Sequence, residues 1–362
     1  MKTPSLDHLR RFAVARSLFT PTTLNKAIHR LGFVQADPLR APARAQDLTL
    51  RHRVSGYRAG DLERRYPQLD IEEDFFVNYG FMPAALHHLM HPREPVKVWP
   101  QARWAQAHEV LAFVREHGVV HPRQVDAHFN HGSVRNWFGG STNASTDLLD
   151  GMHFRGLVRI AGREGGVRLY QAREAHEPVA DTDAAFDAAI DVVVGKYAPL
   201  PAASLGQLVS RIIYGAPQWK GLRSAALQRA KQRLPQAQID GVTWYWAEGE
   251  NPASARHVVS DSVRLLAPFD PVVWDRRRFE LLWGWAYRFE AYTPKAKRVR
   301  GHYALPLLWR DQVIGWGNLA VREGGLQADI GYVSGQAPRE RRFKTALDDE
   351  LERFRVFLGL AG

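Results

Sequence analysis

Residues 143–170, NASTDLLDGMHFRGLVRIAGREGGVRLY, contain a helix pattern followed directly by a hairpin pattern. The helix is predicted over residues 143–154, because apolar side chains recur along one face at helical spacing. These side chains are Leu148, Leu149 and Met152. Two short strands are predicted after the helix, over residues 157–160 and 167–170, and the glycine-rich turn AGREGG joins them as a hairpin.

Two further helices are predicted upstream of this stretch. The first ends at Gly118, and the second begins with Pro122 at its first position. The apolar stripe of the first helix consists of Trp104, Ala107, Leu111 and Val114. Three helices and a hairpin form the order of a winged helix, a DNA-binding relative of the helix-turn-helix. Many other small α+β domains share this order, so the order alone does not establish DNA binding.

Weaker patterns of the same kind lie on both sides. In the N-terminal part, Thr23 is a predicted N-cap and Gly32 ends the helix, after which residues 33–37 are extended and Pro38 ends the extended segment. A third copy is predicted from helices over 183–194, 205–213 and 222–234 and a strand over 242–247. The C-terminal third differs, with a hairpin of residues 303–308 and 312–319 and an amphipathic closing helix over 340–358.

Composition excludes several classes of protein. The chain has 362 residues and no cysteine, which excludes disulfides, zinc–thiolate sites, iron–sulfur clusters and cysteine nucleophiles. Its length corresponds to two or three domains or one large domain. No run of about 18 uncharged apolar residues is present, and the N-terminal residues lack the apolar core of a secretory signal. We therefore expect a cytoplasmic protein that neither spans nor binds a membrane.

The formal net charge is +11, which favours a polyanionic partner such as nucleic acid over a merely basic surface. The charge is concentrated in three segments. Residues 38–65 contain seven arginines against three acids, residues 211–235 contain six basic residues and no acid, and residues 271–300 contain eight basic residues against three acids. Three basic segments can converge on one groove, although each can also be an ordinary solvated face.

Motifs for nucleotide hydrolysis, serine hydrolysis, zincin chemistry and dinucleotide binding are absent from the sequence. His87 and His91 are four residues apart, as are His117 and His121, a spacing that suits metal ligation on a helix. Prolines interrupt both pairs, and no carboxylate lies nearby in the sequence. We therefore interpret these histidines as helix-end residues and expect neither a metal nor another cofactor.

The segment Gln35-Ala36-Asp37 is the strongest candidate for chemistry. In a strand, Gln35 and Asp37 project to the same side, about 7 Å apart along the chain. A carboxylate can deprotonate or orient a water molecule or stabilise a cation, and an amide can hold the same water. Hydrolysis of an N-glycosidic bond needs these functions, because its transition state resembles an oxocarbenium ion. An aspartate before proline also commonly closes a turn, and this structural alternative stays open.

Two long stretches resemble the AlkZ/YcaQ family of winged-helix DNA glycosylases. They are LGFVQADPLRAPARAQDLTLRHR, residues 31–53, and LLAPFDPVVWDRRRFELLWGWAYRFEAYTPKAKRVRGHYALPLL, residues 265–308. With the winged-helix pattern in the middle, the resemblance covers nearly the whole chain. The family's catalytic motif is Gln-x-Gln or Gln-x-Asp, and this chain carries the Gln-x-Asp form that is typical of the YcaQ branch. The middle residue, usually larger and apolar, is the small Ala36 here.

The resemblance implies an α+β fold of tandem winged-helix units and a C-terminal β element around a C-shaped basic channel. The implied domains are a first winged helix with the catalytic motif (1–100), a second (101–180), a third (181–260), and a C-terminal hairpin region with the closing helix (261–362). The implied partner is double-stranded DNA that contains alkylated purines. Nothing in the sequence requires more than a monomer.

The implied activity is that of a monofunctional DNA glycosylase of base excision repair, which removes N7- or N3-alkylated purines and in some members unhooks interstrand crosslinks. Asp37 would be the base or the electrostatic partner of the oxocarbenium ion, and Gln35 would orient the water. Asp270 is a second carboxylate candidate, although its proline neighbours favour a turn. The expected phosphate contacts are Arg40, Arg44, Arg51, Arg53, Lys295, Lys297, Arg298 and Arg300.

Tyr292 and Tyr303 are candidates for base stacking near these cations, although core packing is the more frequent role for tyrosine. No lysine lies in the motif, which argues against a Schiff-base lyase step. The main alternative is a winged-helix transcription regulator without catalytic activity. A shielding DNA-binding protein and a nuclease are further alternatives, and a nuclease would need a cluster of acids beside Asp37.

Overall fold

The computed structural model describes residues 3–135, 140–174 and 177–360. The chain divides into two compact units. The first unit consists of Met1–Leu62, Ile190–Val209 and Leu227–Gly362, and the second consists of Glu63–Ala189 and Ser210–Ala226. The four domains predicted along the chain stay a prediction.

Helices and strands are interspersed along the chain. Within the described residues the α-helices are α1 Leu6–Ser17, α2 Leu24–Leu31, α3 Ala45–Leu50, α4 Asp61–Arg65, α5 Ala84–Leu89, α6 Gln101–His117, α7 Pro122–Phe129, α8 Ala144–Phe154, α9 Thr182–Tyr197, α10 Ala202–Ile212, α11 Arg223–Arg233, α12 Arg276–Trp283 and α13 Arg341–Leu358. Three short 3-10 helices cover Tyr66–Gln68, Pro217–Leu222 and Lys295–Lys297.

The strands are short except in the C-terminal third. They are β1 Val34–Gln35, β2 Ile71–Phe75, β3 Tyr79–Pro83, β4 Val119–Val120, β5 Ser133–Arg135, β6 Ser141–Asn143, β7 Val158–Glu164, β8 Val167–Ala172, β9 Leu200–Pro201, β10 Gln236–Ile239, β11 Val242–Tyr245, β12 Val263–Leu265, β13 Leu305–Trp309, β14 Gln312–Arg322 and β15 Gly325–Tyr332.

Helix α8 and the hairpin β7–β8 form where the sequence predicts a helix and a hairpin. The Asn143 side chain accepts a hydrogen bond from the Thr146 N–H and caps α8. Strands β7 and β8 pair antiparallel, and β4 joins the outer side of β8. The tight connection passes through Gly165 and Gly166, both with positive φ (56° and 88°), a conformation that glycine adopts without strain.

The same chain order occurs twice. Helix α6, strand β4, helices α7 and α8, and the hairpin β7–β8 are followed by helix α9, strand β9, helices α10 and α11, and the hairpin β10–β11. In each case the single short strand pairs with the second strand of the hairpin, giving three-stranded sheets in the orders β4-β8-β7 and β10-β11-β9. The weaker third pattern of the sequence therefore folds as predicted.

The C-terminal third of the chain contains an antiparallel four-stranded sheet, β12-β13-β14-β15. The turn between β13 and β14 lies where it was predicted, and Arg310 adopts φ of 56° there. Helix α13 packs on this sheet and turns Phe343, Phe354 and Phe357 inward. A further core cluster joins Val14 of α1 to Phe279 of α12 and to neighbouring residues of the sheet, so the first helix and the C-terminal sheet share one core.

Candidate catalytic site

The catalytic candidate begins where helix α2 ends. Gly32 ends the helix with φ of 66°, and a Cβ at this position would lie 2.5 Å from a methyl carbon of Val192, so only glycine fits. The next carbonyl, that of Phe33, accepts a hydrogen bond from the buried ammonium of Lys196. The segment that leads into β1 is thus fixed by Gly32 at the end of α2 and by the hydrogen bond from Lys196 to the Phe33 carbonyl.

Gln35 is buried, at 5% exposure. Its side-chain oxygen accepts a hydrogen bond of 2.8 Å from the indole N–H of Trp274, whose ring lies 5.0 Å from that of Tyr197. The tryptophan therefore fixes which end of the amide is the oxygen. The NH₂ group is left as the polar group that Gln35 can offer to a substrate or to water.

Asp37 lies just after β1, which ends at Gln35 and is shorter than the predicted extended segment. The strand ends there because the Asp37 carboxylate closes a turn, accepting a hydrogen bond of 2.9 Å from the Leu39 N–H. The Asp37 N–H donates to the side-chain oxygen of the buried Gln46, at 3.3 Å. Asp37 therefore has the turn-closing role considered for an aspartate before proline, and the Gln46 side chain binds its backbone N–H.

The chemistry of Asp37 is set by partial burial. Burial raises the pKa of this carboxyl, the Leu39 N–H lowers it, and the net shift is upward from the ordinary value. Within the described part of the chain, only one of its oxygens accepts a hydrogen bond. A half-buried carboxylate with a raised pKa and one uncommitted oxygen is suited to take a proton from water.

Tyr303 is a buried tyrosine on which the charge of Asp37 acts. It is 3% exposed, and its pKa is raised first by burial and then by the negative charge of Asp37. Its ring lies edge-on to Phe289, with the two centroids 5.2 Å apart. The sequence predicts Tyr303 as a stacking or core residue, and the influence of Asp37 on its pKa was not predicted, because 266 positions separate the two residues.

Arg53 is a correction to the predicted DNA contacts. Its side chain has no exposed surface, and its guanidinium donates to both oxygens of the equally buried Asp270, at 2.7 and 3.0 Å. It also donates to the carbonyls of Ser17 and Thr49. An interior arginine cannot reach a phosphate, so this prediction was wrong.

The hypothesis that Asp270 is a second catalytic carboxylate is also wrong. Asp270 has no exposed surface, so it cannot meet a substrate. Besides binding Arg53 it accepts the Val272 N–H at 3.0 Å, which is the turn-forming role that its proline neighbours favour.

Arg51 is also an interior residue. Its side chain is 3% exposed, is paired with the fully buried Glu350, and lies 3.7 Å over the ring of Phe354. The prediction that it contacts phosphate was wrong too. Arg40 is exposed and Arg44 partly exposed, so these two stay predicted contacts.

The C-terminal basic cluster, formed by Lys295, Lys297, Arg298 and Arg300, lies on a loop that Glu290 stabilises through backbone hydrogen bonds. The Glu290 carboxylate accepts N–H groups of Val299 and Arg300, at 3.0 and 2.8 Å. Burial raises the pKa of Glu290, but these N–H donors lower it more. The members of the cluster differ in exposure: Lys295 and Lys297 are exposed, and Arg298 and Arg300 are partly exposed.

Tyr292 lies on the same loop and is 77% exposed. Core packing, the more frequent role for tyrosine, is therefore wrong for this residue. Its ring lies edge-on to Phe289 at 6.0 Å, and its ionised hydroxyl would raise the pKa of Tyr303. An exposed aromatic thus lies beside Tyr303 and next to two exposed lysines.

A buried histidine pair lies in the second unit. His87 and His91 both contact one oxygen of Asp74, at 3.0 and 3.3 Å. The expectation that no carboxylate completes this pair was wrong. Arg93 donates to the other oxygen of Asp74 at 2.9 Å. Among the described residues, Asp74, His87 and His91 lie close enough together to ligate a metal ion. The Arg93 guanidinium beside them opposes a second cation, so we interpret the cluster as a hydrogen-bond network.

The family model described as DNA glycosylase AlkZ-like matches residues 28–357. The chain therefore belongs to this family, and it is a DNA-binding hydrolase of DNA repair rather than a transcription regulator. A solved structure, that of Streptomyces sahachiroi DNA glycosylase AlkZ, is similar to it with a TM-score of 0.66. The two are 12% identical, and the match covers 99% of this chain and 98% of that chain, which shows a shared fold.

Among the described residues, no helix is both long and apolar enough to cross a membrane.

Proposed function

We propose that this DNA glycosylase is monofunctional and hydrolyses the N-glycosidic bond of alkylated, cationic purines in double-stranded DNA. The observation that supports this most is the state of Asp37: a half-buried carboxylate with a raised pKa and one oxygen free of hydrogen bonds from the described residues. It lies two residues from an amide whose NH₂ group is its remaining polar group.

In the proposed reaction a water molecule gives a proton to the free oxygen of Asp37 while its own oxygen bonds to C1′ of the sugar. The C1′–N bond breaks, and its electron pair neutralises the positive charge of the departing purine. The leaving base therefore needs no proton, so one carboxylate suffices. Before the water adds, the carboxylate stabilises the oxocarbenium character of the sugar.

Gln35 would hold that water through its NH₂ group. A water molecule accepts two hydrogen bonds, and one of its lone pairs must stay free to attack C1′. One donor from Gln35 and one acceptor on Asp37 leave that lone pair free. The hydrogen bond from Trp274 supports this assignment, because it holds the amide in one orientation.

A lyase step would need a lysine amine at the sugar. Lys196 is the buried lysine beneath the motif, and burial followed by repulsion from Arg53 lowers its pKa to about 7. The residue is 3% exposed, and its ammonium bonds to the Phe33 carbonyl. It therefore supports the strand from inside, which favours a monofunctional enzyme.

The proposed DNA contacts are reduced to the residues with accessible side chains. They are Arg40, Arg44, Lys295, Lys297, Arg298 and Arg300, with Tyr292 as a stacking residue. Long cationic side chains on a loop braced by Glu290 suit phosphate contacts. An exposed tyrosine suits stacking on a base or a sugar.

The finer features of the family resemblance belong to the same proposal. The repeated order of helices and hairpins supports tandem winged-helix units, and the C-shaped basic channel stays a prediction. Unhooking of interstrand crosslinks needs a site that accepts a base still held in the duplex, because a crosslinked base cannot swing freely into a pocket. We propose this property for the chain as well.

The test is base release. Duplex DNA containing N7-methylguanine is incubated with the protein in a metal chelator, and abasic sites are then cleaved with hot alkali. We expect release by wild type and by the exposed-acid control Asp348→Asn, and little release by Asp37→Asn. Trapping with borohydride should yield no protein–DNA adduct. Release by Asp37→Asn at the wild-type rate would contradict the proposal, and binding without release by wild type would refute the activity.

A further inference from the structure

The loop that carries the C-terminal basic cluster, residues 290–301, also carries two apolar side chains that stay in solvent. We call it the basic loop, and it lies between helix α12 and strand β13. Tyr292 is 77% exposed and Val299 is 75% exposed. Residues 288–303 contain five lysines and arginines against one acid, Glu290, which is buried. Two apolar side chains therefore project from a positively charged surface.

The two arms of the basic loop are joined by hydrogen bonds. The buried Glu290 carboxylate, on the first arm, accepts the backbone N–H groups of Val299 and Arg300 on the second, at 3.0 and 2.8 Å. The Arg298 side chain crosses between the arms, and its Nε donates to the Thr293 carbonyl at 2.7 Å. The loop is therefore a compact Ω-loop whose ends lie close together, with Tyr292 on one arm and Val299 on the other.

The basic loop is also attached to the C-terminal sheet. The Asn318 side chain of β14 donates to the Arg300 carbonyl at 2.7 Å. Gly301 adopts φ of 123°, and a Cβ at this position would overlap the side-chain oxygen of Asn318, so only glycine allows the attachment. A loop that is ordered before it meets its partner loses little entropy on binding. The structure thus holds both apolar side chains outward in a fixed geometry.

The basic loop and the catalytic motif contact the same short segment of the chain. The ring of Tyr292 lies edge-on to Phe289 at 6.0 Å, and Phe289 lies edge-on to Phe269 at 5.2 Å. Five positions after Phe269, the indole N–H of Trp274 donates to the side-chain oxygen of Gln35 at 2.8 Å. One end of this segment therefore packs under the loop and its other end binds the motif.

Resting on the proposed function, we propose that Tyr292 and Val299 form an apolar wedge that enters the base stack beside the damaged purine. Apolar side chains that insert between base steps separate the bases and kink the duplex. The cations of the basic loop bind the phosphates around the separated step. Separation of the step exposes C1′ of the damaged nucleotide to the water held at Asp37, while the base stays in the duplex.

Phosphate binding alone does not explain the apolar pair. A valine offers no group to a phosphate, but the faces of stacked bases can remove its side chain from water, which is favourable. Tyrosine stacks on bases and sugars in the same way. Val258 is as exposed as Val299, at 78%, and lies outside the basic loop, so it provides a control with the same side chain and a similar exposure.

The first experiment measures the kink and does not depend on base release. The duplex carries 2′-fluoro-N7-methylguanine, whose sugar fluorine slows loss of the base, and fluorophores on its two ends report bending by energy transfer. Wild type and the control Val258→Ser should kink this duplex by about 20° or more. Val299→Ser and Tyr292→Ser should leave it nearly straight. None of the three substitutions changes the charge, so phosphate contacts are preserved.

The second experiment measures single-turnover base release from N7-methylguanine DNA. On duplex DNA the rate should fall about tenfold for Val299→Ser, which corresponds to the loss of one buried valine side chain, and Tyr292→Ser should show a loss of similar size. On single-stranded DNA, which has no base pair to separate from its neighbour, both variants should match wild type. Unfolding temperatures should not change, because both side chains are exposed.

Loop variants that kink the duplex and release base as wild type does would overturn the inference. Equal losses of rate on duplex and single-stranded DNA would also overturn it, as would a loss in Val258→Ser as large as that in Val299→Ser. If wild type kinks the duplex but releases no base, the proposed chemistry fails and the wedge is supported.

Discussion

Replacing Asp270 with asparagine should make the protein easier to unfold while leaving its chemical step near that of wild type. Arg53 donates two hydrogen bonds to this carboxylate, and neither side chain has any exposed surface. Removing one charge of a buried pair leaves the other without compensation, which costs about 3–5 kcal/mol. The neutral amide would keep one acceptor for the Val272 N–H but would present an NH₂ group to the guanidinium.

The assay is equilibrium unfolding in urea, followed by tryptophan fluorescence. With a slope of about 2–3 kcal/mol per molar urea, the midpoint should fall by about 1–2.5 M. Base release is measured at low temperature, where the variant stays folded. The double variant Arg53→Met, Asp270→Leu should recover part of the loss, because apolar replacement of a whole buried pair is often neutral. An unchanged midpoint, or a folded Asp270→Asn protein that no longer releases base, would refute the assignment of Asp270 to the interior.

Three further predictions concern pH and DNA binding. Burial lowers the pKa of His91 to about 4 in the folded protein, against about 6.5 in the unfolded chain. As the pH falls, the unfolded chain therefore binds a proton first. The free energy of unfolding should consequently fall between pH 6.5 and 4, by up to about 3 kcal/mol for this residue. His91→Gln should flatten that decline in acid-unfolding curves, and an equally steep decline would count against the neutral network around Asp74. Base release should be lost as pH falls through the raised pKa of Asp37, with a midpoint above the ordinary aspartate value near 4; a midpoint at or below it would contradict the burial effect. Lys297→Ala should lower the slope of log affinity against log salt by about one. The control Arg51→Met should leave the slope unchanged, and a reduced slope for this variant would show that Arg51 contacts DNA.

The sequence predicted the regular elements well because their signals are local. Helical spacing within residues 143–154 and the glycines after residue 160 determine a helix and a hairpin without help from distant parts of the chain. The candidate motif was also recognisable, since Gln35 and Asp37 are neighbours.

Its environment was not recognisable, because each decisive contact joins distant positions. Trp274 lies 239 positions from Gln35, and Asp270 lies 217 from Arg53. An arginine on a basic segment looks the same whether it meets a phosphate or a buried carboxylate far along the chain. The one available hint was Asp270 itself, a carboxylate between apolar residues and prolines, which indicates burial and therefore a need for a cationic partner.

One oxygen of Asp37 accepts the Leu39 N–H, and the other is the one proposed to accept a proton from water. Substitutions at this position therefore differ in which of the two roles they remove. Alanine would abolish the anchor of the bend at Pro38 together with the negative charge, so its defect would mix misfolded geometry with missing chemistry. Asparagine retains a carbonyl for the Leu39 N–H and removes only the charge. Glutamate would keep the charge on a side chain one methylene longer, displacing it from the anchor. The set of three separates shape from charge at a single position.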